Sequence, residues 1–195
     1  MNERVNPWVS RPIASPMTPA QVETIQQPTG ATGPRGPQAG VVTPDVADQL
    51  PVRAVTSNPG IWLVGAHGGA GESTLATFDE SWRAAAHAWP ATGRCLLVAR
   101  TSAAGLRAAQ RALTQWAGGA AGGAELLGLV LVDDAPGRLP RPLRDLAALI
   151  SGGAPRTWRI GWDETWRLIE PGQPLPARRD VSRLIADVQA ITARA

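Results

Sequence analysis

From Ile61 to Thr77 the chain reads Ile-Trp-Leu-Val-Gly-Ala-His-Gly-Gly-Ala-Gly-Glu-Ser-Thr-Leu-Ala-Thr, an apolar strand running into a glycine loop and a helix start. Gly68, Gly69 and Gly71, with Ala70 between them, permit a tight turn, and Ser73 and Thr74 can cap the helix that follows. The chemistry served by that spacing is phosphate binding. A working loop reads G-x-x-x-x-G-K-[ST], its lysine reaching the β/γ-phosphates and its hydroxyl ligating magnesium. Here Ser73 stands at the hydroxyl position, but the lysine position holds Glu72. At roughly 4 Å and an effective dielectric of about 20, each unit charge against a phosphate charge is worth about 4 kcal/mol. Replacing attraction by repulsion therefore weakens nucleotide binding at least about a thousandfold. No lysine can move in from elsewhere, because all 19 basic residues are arginine.

Two further clusters bear on the missing charge. Asp133 and Asp134 close an apolar run and precede Ala135-Pro136-Gly137. They read either as acids that position a metal together with Ser73 or as a turn and helix cap, and the turn is the preferred reading. Arg138, Arg141 and Arg144 recur at a spacing of three and, on a helix start, point to one side. Either they supply the phosphate charge that Glu72 cannot, or they form a solvated face with ion pairs to Asp145, the loop acids and Glu72. The second reading is preferred. His67 reads as a polar residue capping the loop, since no nucleophile and carboxylate can be assembled around it, and His87 reads as structural.

The elements that must position these groups follow from periodicity. Apolar strands alternate with amphipathic helices from Pro59 onward, the pattern of a parallel sheet covered on both faces. Expected strands are Ile61 to Gly65, Arg94 to Arg100, Leu126 to Val132 and Arg156 to Ile160. Expected helices are Ser73 to about Ala88, with Leu75, Phe78, Trp82, Ala85 and Trp89 at helical spacing, then one capped by Thr101 or Ser102 and running to about Trp116, then Arg141 to Ile150, and Asp180 to Arg194. A short helix containing Trp162 and Trp166 would place those rings on one face as a packed pair. The fold class is thus α/β: a three-layer, mostly parallel sheet with helices on both faces. Residues 1–57, rich in proline and poor in aliphatic clusters, read as a disordered tail that holds at most a short helix near Pro44 to Leu50. Residues 58–195 form the domain.

Bulk composition narrows the classes. A 44% apolar content supports a core, and the net charge of +3 is too small to argue for nucleic acid. No run approaches the roughly 20 apolar residues that span a bilayer, and no basic-then-apolar leader opens the chain, so a cytoplasmic protein is expected. The single cysteine, Cys95, lies in an apolar run and reads as a buried, inert thiol. Absence of lysine and tyrosine beside abundant Ala, Gly, Pro and Arg matches the codon bias of a GC-rich genome.

On His67-Gly68-Gly69-Ala70-Gly71-Glu72-Ser73-Thr74 the chain resembles the deviant phosphate loop of the ParA/MinD family, K-G-G-x-G-K-[ST]. The resemblance implies a P-loop-like fold over roughly residues 59 to 170. In that family the first lysine acts across a dimer on the partner's nucleotide, and here it is His67; the second is Glu72. The stretch ending in Asp133-Asp134 is similar to the family's Walker B and switch region, where an acid contacts the magnesium shell. Together with Val98-Ala99-Arg100-Thr101, Gly105-Leu106 and Asp134 to Pro142, the loop also resembles an uncharacterised actinobacterial family of short P-loop-like proteins that carries no assigned activity.

The expectation is a protein that has lost ATP hydrolysis and acts as a scaffold or regulatory partner, in DNA partition, conjugation or cell positioning. Its expected site comprises Gly68, Gly69, Ala70, Gly71, Glu72, Ser73, Thr74, Arg138 and Arg141, with no cofactor. The partner is expected to be another protein, a homodimer being one form. A first alternative is an ATPase in which arginines replace the lysine, with ATP and magnesium as cofactors. A second is a nucleic-acid-binding module in which Trp158, Arg159, Trp162, Trp166 and Arg167 interleave rings and charge.

Overall fold

The computed structural model describes residues 33–55, 60–170, 173, 175–176 and 178–194. In chain order its strands are Val52–Arg53 (β1), Ile61–Gly65 (β2), Trp82–Ala84 (β3), Trp89–Pro90 (β4), Thr92–Arg100 (β5), Gly123–Val132 (β6) and Thr157–Ile160 (β7). Its α-helices are Glu72–Ala76 (α1), Ala103–Ala117 (α2), Arg141–Ser151 (α3) and Arg179–Thr192 (α4).

The continuous apolar runs in β5 and β6 are buried on both faces, as central strands of a parallel sheet must be. They lie at the middle of a five-stranded sheet of order β3-β2-β5-β6-β7, with every neighbouring pair parallel. Alternation along each strand divides the core in two. Val64, Leu97, Ala99, Leu129 and Leu131 face α2 and α3. Leu63, Leu96, Val98, Val130 and Ile160 face the other way, against Leu75 of α1 and Val181, Leu184 and Val188 of α4. The expected three layers are therefore present, with a sheet that is wholly parallel. Cys95 is fully buried, and that burial pushes its thiol far above the ordinary range, which keeps it inert.

Three expectations need correction. The helix expected from Ser73 to Ala88 stops at Ala76. Asp79 accepts hydrogen bonds from the Ser81 amide and hydroxyl, which fixes a turn, and Trp82–Ala84 then pairs with Ile61–Leu63 as an edge strand. Trp82 and Trp89 are buried as their spacing predicted, but on strands. The expected Trp162 and Trp166 helix is only a 3-10 turn over Thr165–Arg167, so Trp162 lies outside it and no helical ring pair forms.

The third correction concerns the tail. Residues 33–55 pack on the domain. The Gln38 amide donates to the Ala117 carbonyl at 2.7 Å, and β1 runs parallel to β4. Gln115, buried to 1% exposure, accepts from the Leu50 amide at 2.9 Å and the Trp89 indole at 3.1 Å, and donates to the Leu50 and Ala120 carbonyls at 2.8 and 3.0 Å. Four bonds saturate one buried amide and fasten this strap to α2. The short helix expected near it is a 3-10 turn at Val46–Asp48. The expectation for residues 1–32 lies outside the described residues.

Candidate functional site

In a doubly wound sheet the strand order reverses at one point, and ligand crevices open there beyond the carboxyl ends of the strands. Here the reversal falls between β2 and β5. A crevice of about 610 Å³ opens at that edge. The glycine loop after β2 supplies His67, Gly68, Gly69 and Gly71; α1 adds Thr74; Arg100 and Ser102 come from the end of β5, and Asp133 and Asp134 from the end of β6. Trp162, Asp163 and Trp166 close the far side.

The loop residues that depart from the phosphate motif have fixed structural partners. His67 Nε2 accepts the Arg100 amide proton at 3.0 Å, so the ring proton sits on Nδ1, which donates to the Gly68 carbonyl at 2.9 Å. Both nitrogens are thereby committed, and the ring ties the loop to the end of β5. Glu72 does not face the crevice. It is 8% exposed, and its Oε2 has no hydrogen-bond partner among the described residues. A Cβ placed on Gly65 would stand 2.8 Å from that oxygen and 2.8 Å from His87 Nδ1, so the carboxylate fills the hollow left by a missing side chain. A Cβ on Gly105 would likewise collide with the Arg100 carbonyl and come within 2.8 Å of His67 Nε2. Each departing residue thus has a glycine opposite it.

The remaining site residues are brought together only in part. Gly71 has a left-handed φ of 103° and is itself the N-cap of α1, so neither Ser73 nor Thr74 caps the helix. Ser73 is exposed and does not line the crevice, whereas Asp133 and Asp134 do. The expected metal trio is therefore not assembled. Asp133 is paired with Arg159 at 2.7 Å, and the Asp134 amide donates to Thr101 Oγ1 at 3.1 Å. The pair ends the strand in a bend, and the helix-cap part of the turn reading fails because Pro140 occupies the N-cap of α3. Arg138, Arg141 and Arg144 are exposed and line no part of the crevice. Arg141, with its side chain 84% exposed, pairs with Asp145 at 3.7 Å, while Glu72 pairs with no arginine among the described residues. Magnesium-bound triphosphate does not fit this donor set. The loop carries no cation of its own, Ser73 lies outside the crevice lining, and of the two acids Asp133 is already paired with Arg159.

Arg100 is a site residue beyond those expected from the sequence. Its Nε donates to the Gly69 carbonyl at 3.1 Å and its guanidinium to the Asp133 carbonyl at 3.0 Å, which spans the crevice from loop to β6. A signal existed: a charged residue closing an apolar central strand next to the glycine-loop strand. On the opposite wall, Arg178 pairs with Asp163 at 2.9 Å and Asp180 at 2.7 Å, with its Cζ 5.5 Å from the Trp166 ring. These bonds to two carboxylates hold the Arg178 proton more tightly than usual. Trp158 and Trp162 donate their indole protons to Asp187 and Glu164, and Arg159 pairs with Asp133, so these three of the interleaved residues are engaged within the chain.

Among the described residues no helix is long and apolar enough to cross a membrane, and no group of three or more His, Cys, Asp and Glu side chains is placed to hold a metal. No curated protein and no solved structure matches the chain. A family profile does match, over residues 59–183, the span from the first strand of the large sheet into α4. By that match the chain belongs to the family of unknown function designated DUF6668.

Proposed function

We propose that this chain is a P-loop-like protein of the ParA/MinD kind that does not turn over nucleotide and acts as a scaffold or regulatory partner for another protein. The observation that carries the reading is the placement of Glu72, buried beneath Gly65 and away from the crevice. A loop that hydrolyses triphosphate needs a cation and a metal-binding hydroxyl at its helix start. This one has a sequestered carboxylate and an outward serine there. Supporting it, His67 is spent on holding the loop to β5. Arg138 and Arg141, the arginines expected to compensate for the missing lysine, lie outside the crevice, which favours the non-hydrolysing reading over the ATPase.

The test is phosphate release from ATP and GTP with magnesium, on the wild type and on Ser73→Ala. No release above the buffer rate is expected from either. Magnesium-dependent turnover that Ser73→Ala abolishes would sink the proposal.

A further inference from the structure

The charges around the crevice are unevenly matched. Asp133 is neutralised by Arg159, and Asp163 shares Arg178 with Asp180. Arg100 is different. Both of its side-chain hydrogen bonds go to carbonyl oxygens, which carry no formal charge, and no carboxylate among the described residues lies within ion-pair distance of it. A guanidinium has five donors, so most of its fork is unassigned at the crevice wall. Beside it lie the Thr74 and Ser102 side chains and the loop glycines. The Gly68, Gly69 and Gly71 amides donate no backbone hydrogen bond among the described residues. The loop end of the crevice therefore presents one positive charge and several donors.

The other end has the opposite character. Asp134 is exposed there without a cation partner among the described residues, and the Asp163 and Asp180 carboxylates divide a single arginine. A polyanion entering the crevice would meet attraction at one wall and repulsion at the next. A ligand with a single anionic group would meet only the attraction, provided its other end is neutral or donates hydrogen bonds.

We infer that Arg100 is the recognition residue for a small molecule bearing one oxyanion, a phosphomonoester or a carboxylate, bound between the glycine loop and the end of β5. The anion completes the guanidinium fork and is met by the loop donors. Trp162 and Trp166 border the space left for the rest of the molecule. This names a ligand for the crevice of the proposed non-hydrolysing protein, and it rests on that reading only in excluding a triphosphate.

The experiment titrates the full chain, labelled with nitrogen-15, with inorganic phosphate, with acetate and with magnesium-ATP. Saturable shifts of the Arg100 Nε–H and of the Gly68 to Gly71 amides are expected with phosphate or acetate. The tighter of the two tells which oxyanion the site is built for. Arg100→Gln should weaken that binding about 10- to 100-fold, the value of a charge-assisted hydrogen bond, while Arg100→Lys should retain more of it. Should Arg100→Gln fail to fold, the wild-type Nε–H shift and the lysine variant decide. Unmoved Arg100 and loop resonances with both small anions overturn the inference, and so does Arg100→Gln binding as the wild type does. Turnover in the ATP arm sinks the non-hydrolysing reading alone, because the dependence on Arg100 is read separately.

Discussion

Glu72 and His67 stand where a phosphate loop carries lysines, and each occupies space that a glycine leaves open. Decay of a motif predicts side chains that drift into solvent. Here the carboxylate is buried and the imidazole uses both nitrogens, so the departures are part of the packing. A double-mutant cycle checks this. Gly65→Ala should destabilise the chain by about 1–3 kcal/mol, as overpacking does. In a Glu72→Ala background the same change should cost less, with a coupling of about 0.5–3 kcal/mol read from urea denaturation. Additive effects would mean that the carboxylate does not fill the Gly65 hollow. The motif spacing made the loop legible in the sequence, but not the direction of Glu72. That direction is set by the empty position opposite it, on a neighbouring strand end, and a linear pattern carries no such information.

At the level of elements, continuous apolar runs identified β5 and β6, and Ser102 caps α2 through the Gly105 amide at 3.2 Å, as expected. The region after α1 was misread because Leu75, Trp82 and Trp89 satisfy a helical period while being buried on different elements. The turn at Asp79 to Ser81 outweighs that periodicity. Strap residues 33–55 were misread for a related reason. Their proline content argues against a core of their own, yet they are held by backbone hydrogen bonds and by α2 side chains, Arg111 through Asp48 and above all the buried Gln115. Gln115→Leu removes that side chain's bonds while keeping its bulk. It should cost at least about 2 kcal/mol, because the Leu50 and Trp89 polar groups lose buried partners. Hydrogen exchange at the Leu50 amide should accelerate in step with the lost stability. Unchanged exchange would mean that the strap is held by other contacts.

For the whole molecule, the long-range tie around Arg178 links the loop after β7 to the start of α4. Burial alone would raise the Asp180 carboxyl. The Arg178 guanidinium, the Gly161 amide and the Val181 amide outweigh it and hold the group below the usual carboxylate range. A carboxyl lowered by folding contributes stability that is complete above its unfolded pKa and is lost as pH falls through the folded value. Asp180→Asn should therefore be less stable than the wild type near neutrality, with the difference closing on acidification. Urea midpoints measured between about pH 7 and about pH 2 read this directly, and a pH-independent difference would refute it.

The strap has a further consequence for how the chain is made. Gln38 and Leu50 leave the ribosome early, but their partners Ala117 and Gln115 come much later, and Pro155, whose carbonyl accepts from the Gly33 amide, comes later still. At about 5–20 residues per second the wait between Gly33 and Pro155 is roughly 6–24 s. During that time α2 and the strap that packs on it cannot fully shield one another. Final closure therefore waits until Pro155 has been made, and until then the emerging chain offers chaperones a face of α2 that the strap later covers.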